Sequence, residues 1–321
     1  PAPVPGPDPG QGGRAHAPAG GGDPSTLTGL RRPGLRRRDG GRGAGRDGAQ
    51  LNPHLALRWD AAQTVTLRGS WGRASQAPEA HELRVEDGEL QVGNAQRVQQ
   101  SVLSLELRPN PATTLLLELF ERRQPNPRLR FENLLDPLRF VPELAPDRTL
   151  VAPLTSRVHG LEASLRHESG AWSFRGAYTL AGAVDRMQIA NVARDWDQRH
   201  TLTLGATWQR GPWSVSMFGQ AHTGRPTTSV VDTNLDSLQL GARNAARLAS
   251  FVTVALRAAR EFNPGIGRIM VFAQLSNLLN RANPCCTEID LPDEEANPTQ
   301  LEIEPIRAYP VLPAIGIRWD F

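Results

Sequence analysis

The sequence predicts an all-β chain: a transmembrane antiparallel β-barrel, present in part as about eleven strands, preceded by a disordered N-terminal segment. Three observations predict it. From Leu51 to Phe321 apolar and polar residues alternate in repeated segments, each long enough to cross a bilayer as a tilted strand. The connectors between these segments alternate in turn between short and long. Finally, the chain is 39% hydrophobic with a mean hydropathy of -0.40 and contains no run of eighteen apolar residues, which excludes helical spans. A barrel survives that test, because only alternate side chains of each strand face lipid.

The segments follow one another with the same logic. Residues 51–60 set Leu55, Leu57 and Trp59 against His54, Ala56, Arg58 and Asp60, and residues 64–74 set Val65, Leu67, Gly69 and Trp71 against Thr64, Thr66, Arg68 and Ser70. Residues 97–108 present Leu103, Leu105 and Leu107 opposite Ser104, Glu106 and Arg108. Residues 112–122 present Leu115, Leu117 and Leu119, although Leu116 and Phe120 interrupt the polar face. In 155–167 Leu161, Ala163 and Leu165 oppose Glu162, Ser164 and Arg166, and in 171–181 Trp172, Phe174 and Tyr178 oppose Ser173, Arg175 and Thr179. Residues 198–209 carry Leu202, Leu204, Ala206 and Trp208 against Thr201, Thr203, Thr207 and Gln209. Trp213, Val215 and Met217 mark 213–223; 249–260 and 268–278 follow. In 310–321, Ile315, Ile317, Trp319 and Phe321 face away from Gly316, Arg318 and Asp320.

Alternation alone does not separate a barrel with a wet lumen from a sandwich with a polar outer surface. Connector length does. The short connections 60–63, 109–111, 167–170, 210–212 and 261–267 alternate with long ones at 75–96, 123–154, 182–197, 224–248 and 279–309. A transmembrane barrel keeps short turns at one rim and long loops at the other, and a soluble all-β fold has no reason to do so. Trp59, Trp71, Trp172, Trp208, Trp213 and Trp319 lie near segment ends, where an interfacial girdle of amphipathic rings is expected.

Residues 1–50 are rich in Gly, Pro, Ala and Arg, cannot build a core, and are expected to be a disordered segment ahead of a barrel domain spanning 51–321. All 36 basic residues are Arg and the net charge is +3, too small an excess to indicate nucleic-acid binding. The two cysteines, Cys285 and Cys286, are adjacent and cannot staple distant parts of the fold; a vicinal disulfide is the expectation for an oxidising compartment.

The residues resemble the C-terminal barrel of TonB-dependent outer-membrane receptors. The likeness is carried by Leu67-Arg-Gly-Ser-Trp-Gly-Arg-Ala-Ser-Gln-Ala-Pro78 followed by Glu82-Leu83, by Trp196-Asp-Gln-Arg-His-Thr-Leu202, and by His222-Thr-Gly-Arg-Pro226. It continues through Phe272 to Asn277-Leu278-Leu279-Asn280-Arg281 and ends at Tyr309-Pro310-Val-Leu-Pro313 and the terminal Phe321. The resemblance implies that the eleven strands are the last half of a 22-stranded barrel in the outer membrane of a Gram-negative bacterium. It further implies energy-coupled uptake of a scarce nutrient such as a ferric siderophore, cobalamin or an oligomeric substrate. Asn277 to Asn280 would then mark the top of the penultimate strand, and Phe321 the signal read during assembly. No plug pattern and no TonB box precede Leu51, so the TonB complex would be reached only through a plug domain that these residues do not provide. The remaining expected partners are outer-membrane lipid and an extracellular nutrient ligand.

Chemistry beyond that finds little support. Glu288, Asp290, Asp293, Glu294, Glu295, Glu302 and Glu304 form an acidic stretch without the spacing of a calcium loop. His54, His81, His159, His167, His200 and His222 are scattered, and neither a zinc-protease helix motif nor a nucleophile elbow is present. No catalytic, cofactor or metal residue is assigned, the ligand-binding residues are not legible, and enzymatic activity is not expected. The alternative function is a passive, porin-like or structural outer-membrane barrel. A third reading, a soluble all-β enzyme or sandwich, is weaker.

Overall fold

Side chains that alternate in chemistry force the backbone to present two different faces, and the strands that result pair in chain order. The computed structural model describes residues 50–77, 95–136, 147–232, 239–265, 267–290 and 302–321, with backbone only at 288–290 and 302–303. The disordered segment expected at 1–50 lies outside these residues apart from Gln50.

The main sheet is built from β1 (His54–Ala62), β2 (Val65–Gln76), β3 (Gln96–Asn110), β4 (Thr113–Pro125), β7 (Thr155–Ser169), β8 (Trp172–Arg186), β10 (His200–Arg210), β11 (Trp213–His222), β16 (Phe251–Phe262), β17 (Arg268–Ser276) and β20 (Leu312–Asp320). These eleven pair antiparallel in that order. They coincide with the eleven segments legible in the sequence. No helix among the described residues is long and apolar enough to cross a membrane, which says nothing against strands. The long connectors hold smaller pairs: β5 (Arg130–Asn133) with β6 (Arg148–Val151), β12 (Pro226–Thr227) with β15 (Ala246–Arg247), β13 (Val230–Asp232) with β14 (Gln239–Leu240), and β18 (Pro284–Asp290) with β19 (Glu302–Arg307). A short β9 (Asn191–Ala193) lies beside the far end of β8.

All short turns fall at one rim and all long connectors at the other, as expected. Gly170 and Gly211 open two of the turns with φ of 56° and 55°, a left-handed conformation that glycine adopts without a Cβ penalty.

The register carries the apolar face across the sheet without a break. Leu57 stands opposite Gly69 and Gly69 opposite Leu103; Leu103 pairs with Leu119, Leu119 with Leu161, and Leu161 with Leu180. Farther on, Leu204 pairs with Gly219, Met217 with Leu256, Leu256 with Leu275, and Ala273 with Ile315. The burial of the two faces is inverted relative to a water-soluble protein. On the apolar face Leu57, Leu103, Leu119 and Leu204 are 53–60% exposed, whereas on the polar face Thr66, Ser104 and Glu106 are at most 9% exposed. Polar side chains there satisfy one another: Arg68 pairs with Glu106 at 2.6 Å, Thr66 donates to Asp60 at 2.8 Å, and Ser104 donates to Glu118 at 2.6 Å. Exposed leucines beside buried, internally bonded polar groups are the arrangement of a wall with lipid on one side and a wet lumen on the other.

Phe120, which broke the alternation in the sequence, has its ring against Gly160, where a Cβ would meet it at 2.8 Å. The polar face therefore tolerates an aromatic ring because the facing residue has no side chain. Most of the expected aromatic girdle lies at the short-turn rim. Trp172 pairs with Trp208 and stacks on Phe174 at 5.6 Å, and Arg260 lies over Trp213 and Phe262 at 5.0 and 4.8 Å. Trp71, expected near a strand end, sits in the body of β2 instead.

Candidate functional site

Three of the long connectors, 123–154, 182–197 and 224–248, meet above the sheet, and what joins them is charge. β8 runs past the leucine band to Asp185, which is completely buried. Its Oδ2 accepts hydrogen bonds from Arg130 at 2.5 Å and from Arg243 at 3.3 Å, and its Oδ1 accepts one from Ser156 at 2.5 Å. Arg194 stands 3.8 Å away. Glu132 closes the circuit by accepting from Arg130 at 2.7 Å and from Arg243 at 2.8 Å. Burial works to lower the Arg130 pKa, but Glu132 and Asp185 outweigh it and hold the guanidinium above its ordinary value. Two arginines sharing two carboxylates, with Arg194 beside them, thus lock three separate connectors and the top of β8 together. Arg243 is 12% exposed, and its Nη1 has no hydrogen-bond partner, so one buried donor of the cluster stays open.

A second lock lies beside it. Asp197, 1% exposed, accepts from the backbone N–H of Ala183 at 2.6 Å, pairs with Arg247, and stands 3.5 Å from Arg199. Asp147 ties β5 to β6 by accepting from Asn133 at 3.0 Å and from the Leu135 N–H at 2.8 Å. Asn244 donates to Asp195 at 2.7 Å and to the Ala193 carbonyl at 2.8 Å.

The motif segments come together at the base of these loops. Arg225 of the His222–Pro226 piece lies over Trp196 at 4.5 Å, Gln198 lies 3.1 Å from His222, and His222 stacks on Phe251 at 4.7 Å. Asn277 and Asn280 take left-handed φ values of 48° and 49° immediately after β17. Asn277 donates to the carbonyls of Arg281 and Tyr309, and the side chain of Asn280 accepts from the Val311 N–H, tying the start of the last long connector to its end. This is the top of the penultimate strand of the sheet, as the resemblance implied.

Other candidate residues are placed as follows. His167 contacts Thr113 at 2.8 Å, His200 contacts Tyr178 at 2.7 Å, His159 stands opposite Glu121, and His54 is exposed; none shares a site with another. His81 and Asp293 to Glu295 lie outside the described residues. Glu288 stands opposite Glu304 in the backbone register of β18 and β19, and no grouping of three potential metal ligands occurs among the described residues. The vicinal disulfide expected of Cys285 and Cys286 is not formed: both thiols are free. The pair lies at a register irregularity of β18, between Pro284 opposite Arg307 and Cys286 opposite Ile306, and only Cys286 is buried. Burial pushes the Cys286 thiol well above its usual range, and Cys285 and Asp136 add to the effect. Little thiolate then exists at pH 8, so Cys286 is expected to resist an alkylating reagent until the protein is denatured. Mass spectrometry of native and denatured samples checks this, and prompt labelling of native Cys286 would contradict the burial described.

The Asp185 cluster escaped sequence reasoning because its members come from separate loops, 55 and 58 residues apart in the chain for its two direct arginine contacts.

Comparison with known proteins adds the wider relationship. The family model for TonB dependent receptor-like β-barrels matches residues 22–278. No curated protein sequence matches the chain. Among solved structures, the ferripyoverdine receptor of the outer membrane of Pseudomonas aeruginosa bound to ferripyoverdine aligns over 86% of this chain and 33% of its own, with TM-score 0.56 and 14% identity. The ferric-catecholate import receptor Fiu from K12 E. coli aligns over 85% of this chain and 35% of its own, with TM-score 0.55 and 14% identity. The FrpB iron transporter from Neisseria meningitidis aligns over 84% and 39%, with TM-score 0.55 and 11% identity. At these identities the likeness concerns the fold, and the chain spans between 33% and 39% of the length of these three structures.

Proposed function

The chain belongs to the family of TonB dependent receptor-like β-barrels, and from that premise we propose that it forms wall and outer loops of an outer-membrane receptor that imports a scarce nutrient chelate. The observation that carries the reading is the inverted burial of the sheet, leucines outward and bonded polar groups inward, in a family of transport receptors. Supporting it, the long connectors are locked into a fixed cap by Asp185, Glu132 and Asp197, which suits loops that must present a binding surface rather than close a core. A ferric siderophore is the preferred substrate class, since the similar structures named above include two iron-chelate receptors; cobalamin and oligomeric substrates are the other members of the proposal. On this reading TonB engages a plug domain and not the wall described here.

The expected result is energy-coupled uptake. Iron-limited cells carrying the intact receptor should accumulate a radiolabelled ferric chelate, and a protonophore or loss of TonB should abolish the accumulation. Uptake that survives de-energising, together with a steady ionic conductance in a planar bilayer, would instead establish the passive, porin-like alternative.

A further inference from the structure

The lipid-facing wall has different chemistry at its two rims. Trp59, Trp172, Trp208, Trp213 and Trp319 stand at the short-turn rim. At the long-loop rim the register assembles arginines. Immediately above the row Leu103, Leu119, Leu161 and Leu180 comes Ser101, Glu121, His159 and Gly182, and above that the row Arg73, Gln99, Arg123, Arg157 and Val184. One step higher on the same face stand Arg97, opposite Ser75, and Arg186, opposite Thr155. All five arginines are exposed. Glu121 is the only carboxylate in these rows, engaged by Arg123 at 3.0 Å and Arg157 at 2.5 Å, and Arg73, Arg97 and Arg186 have no carboxylate partner among the described residues. Among the described residues, these rows thus hold five arginines against one carboxylate across five adjacent strands.

The height of this row identifies what faces it. The step from Trp172 to Val184 on β8 spans ~30 Å of membrane normal at a rise of ~3.3 Å per residue and a tilt of ~40°. The apolar band of an outer-membrane barrel is ~25 Å tall, so the arginines clear the hydrocarbon by a few ångströms and stand at headgroup level. The wall is also concave there. A groove of about 730 Å³ has Leu103, Leu119, Leu161 and Leu180 below and Arg157 and Arg199 above. Hollows of about 510 and 470 Å³ adjoin it, the first lined by Arg123, Arg157 and Arg186 and the second by Arg73 and Arg97. Leucines under a guanidinium row match acyl chains under a phosphate, and bidentate guanidinium donors suit phosphate oxygens.

We infer that this arginine-rimmed, leucine-floored wall is a docking surface for a phosphorylated lipid of the membrane leaflet at the long-loop side. The inference rests on the proposed membrane placement but not on nutrient uptake. The phosphates sit against Arg73, Arg97, Arg123, Arg157 and Arg186, and the acyl chains lie along the leucine row.

The test is native mass spectrometry of the full chain in a zwitterionic detergent, titrated with a bisphosphorylated glycolipid and, separately, with phosphatidylcholine. The wild type is expected to retain the bisphosphorylated lipid, and the variant carrying Arg73→Gln, Arg123→Gln, Arg157→Gln and Arg186→Gln to retain it at least tenfold less. Arg210→Gln and Arg260→Gln, at the opposite rim, should leave retention unchanged, and strand circular dichroism should match in all three. Equal retention by the wild type and the fourfold variant, equal retention of phosphatidylcholine, or displacement by millimolar inorganic phosphate overturns the docking surface. Uptake that fails while the lipid is still retained removes the transport reading alone. Uptake that persists without lipid retention removes this inference alone.

Discussion

Leu204→Arg is expected to cost about 2 to 4 kcal/mol of folding stability in a bilayer, whereas Thr203→Arg, its immediate neighbour, costs well under half of that. Leu204 is 53% exposed in the middle of β10, between Gly176 and Gly219. In a water-soluble protein a substitution at such an exposed position falls within about half a kcal/mol of neutral, because the new side chain simply meets solvent. Here the surrounding medium is hydrocarbon, which cannot solvate a guanidinium. Thr203 projects to the other face, beside Ala177 and Gln220, where water and polar neighbours receive the charge. Denaturant titration of the protein refolded into lipid vesicles measures both. Equal costs for the two variants would mean that neither face meets lipid, and a reversed order that the faces have been exchanged.

The second large effect is placed above the membrane. Asp185→Asn should destabilise the loop cap by about 3 kcal/mol, since removing one member of a buried ion cluster leaves the opposite charges without compensation. Asp185 is wholly buried, and the two arginines it shares with Glu132 are themselves only 26% and 12% exposed. The loss should be local. Amide exchange should accelerate in 130–133, 191–194 and around Arg243, while the strands of the main sheet keep their protection. If exchange in those loops is unchanged, the cluster does not hold the cap together.

These two sites also show what a sequence can reveal about such a chain. Leu204 and Thr203 were legible because each strand meets two solvents, and two solvents impose a period of two on the residues. The strand boundaries follow for the same reason, and the errors fall where that pressure stops. β8 continues to Arg186 rather than ending near residue 181, because beyond Leu180 it has left the hydrocarbon and its composition answers to loop partners instead. Asp185 was consequently assigned to a connector. The small strand pairs β5–β6 and β12–β15 have too few residues for any periodicity, and each forms within a single long connector. The arginine row was present at the upper ends of the predicted segments, as Arg73, Arg97 and Arg157, with Arg123 as the first residue of a connector. Only the pairing register shows that they share one face and one height. Cys285 and Cys286 show the opposite failure: adjacency suggested a bond, yet both thiols are free at a break in the register of β18.

The gathering of every short turn at one rim makes the chain unequally tolerant of change in length. Adding residues to a long connector, such as the one that carries Asn191, costs only the slowly growing entropy of a larger loop and leaves each ladder as it was. A single residue added within the Gly170–Ala171 turn slips β8 against β7 and sends Tyr178 and Leu180 into the lumen while Arg175 and Thr179 enter lipid. Novelty can therefore accumulate at one rim alone, by lengthening, shortening and swapping those connectors over an unaltered wall.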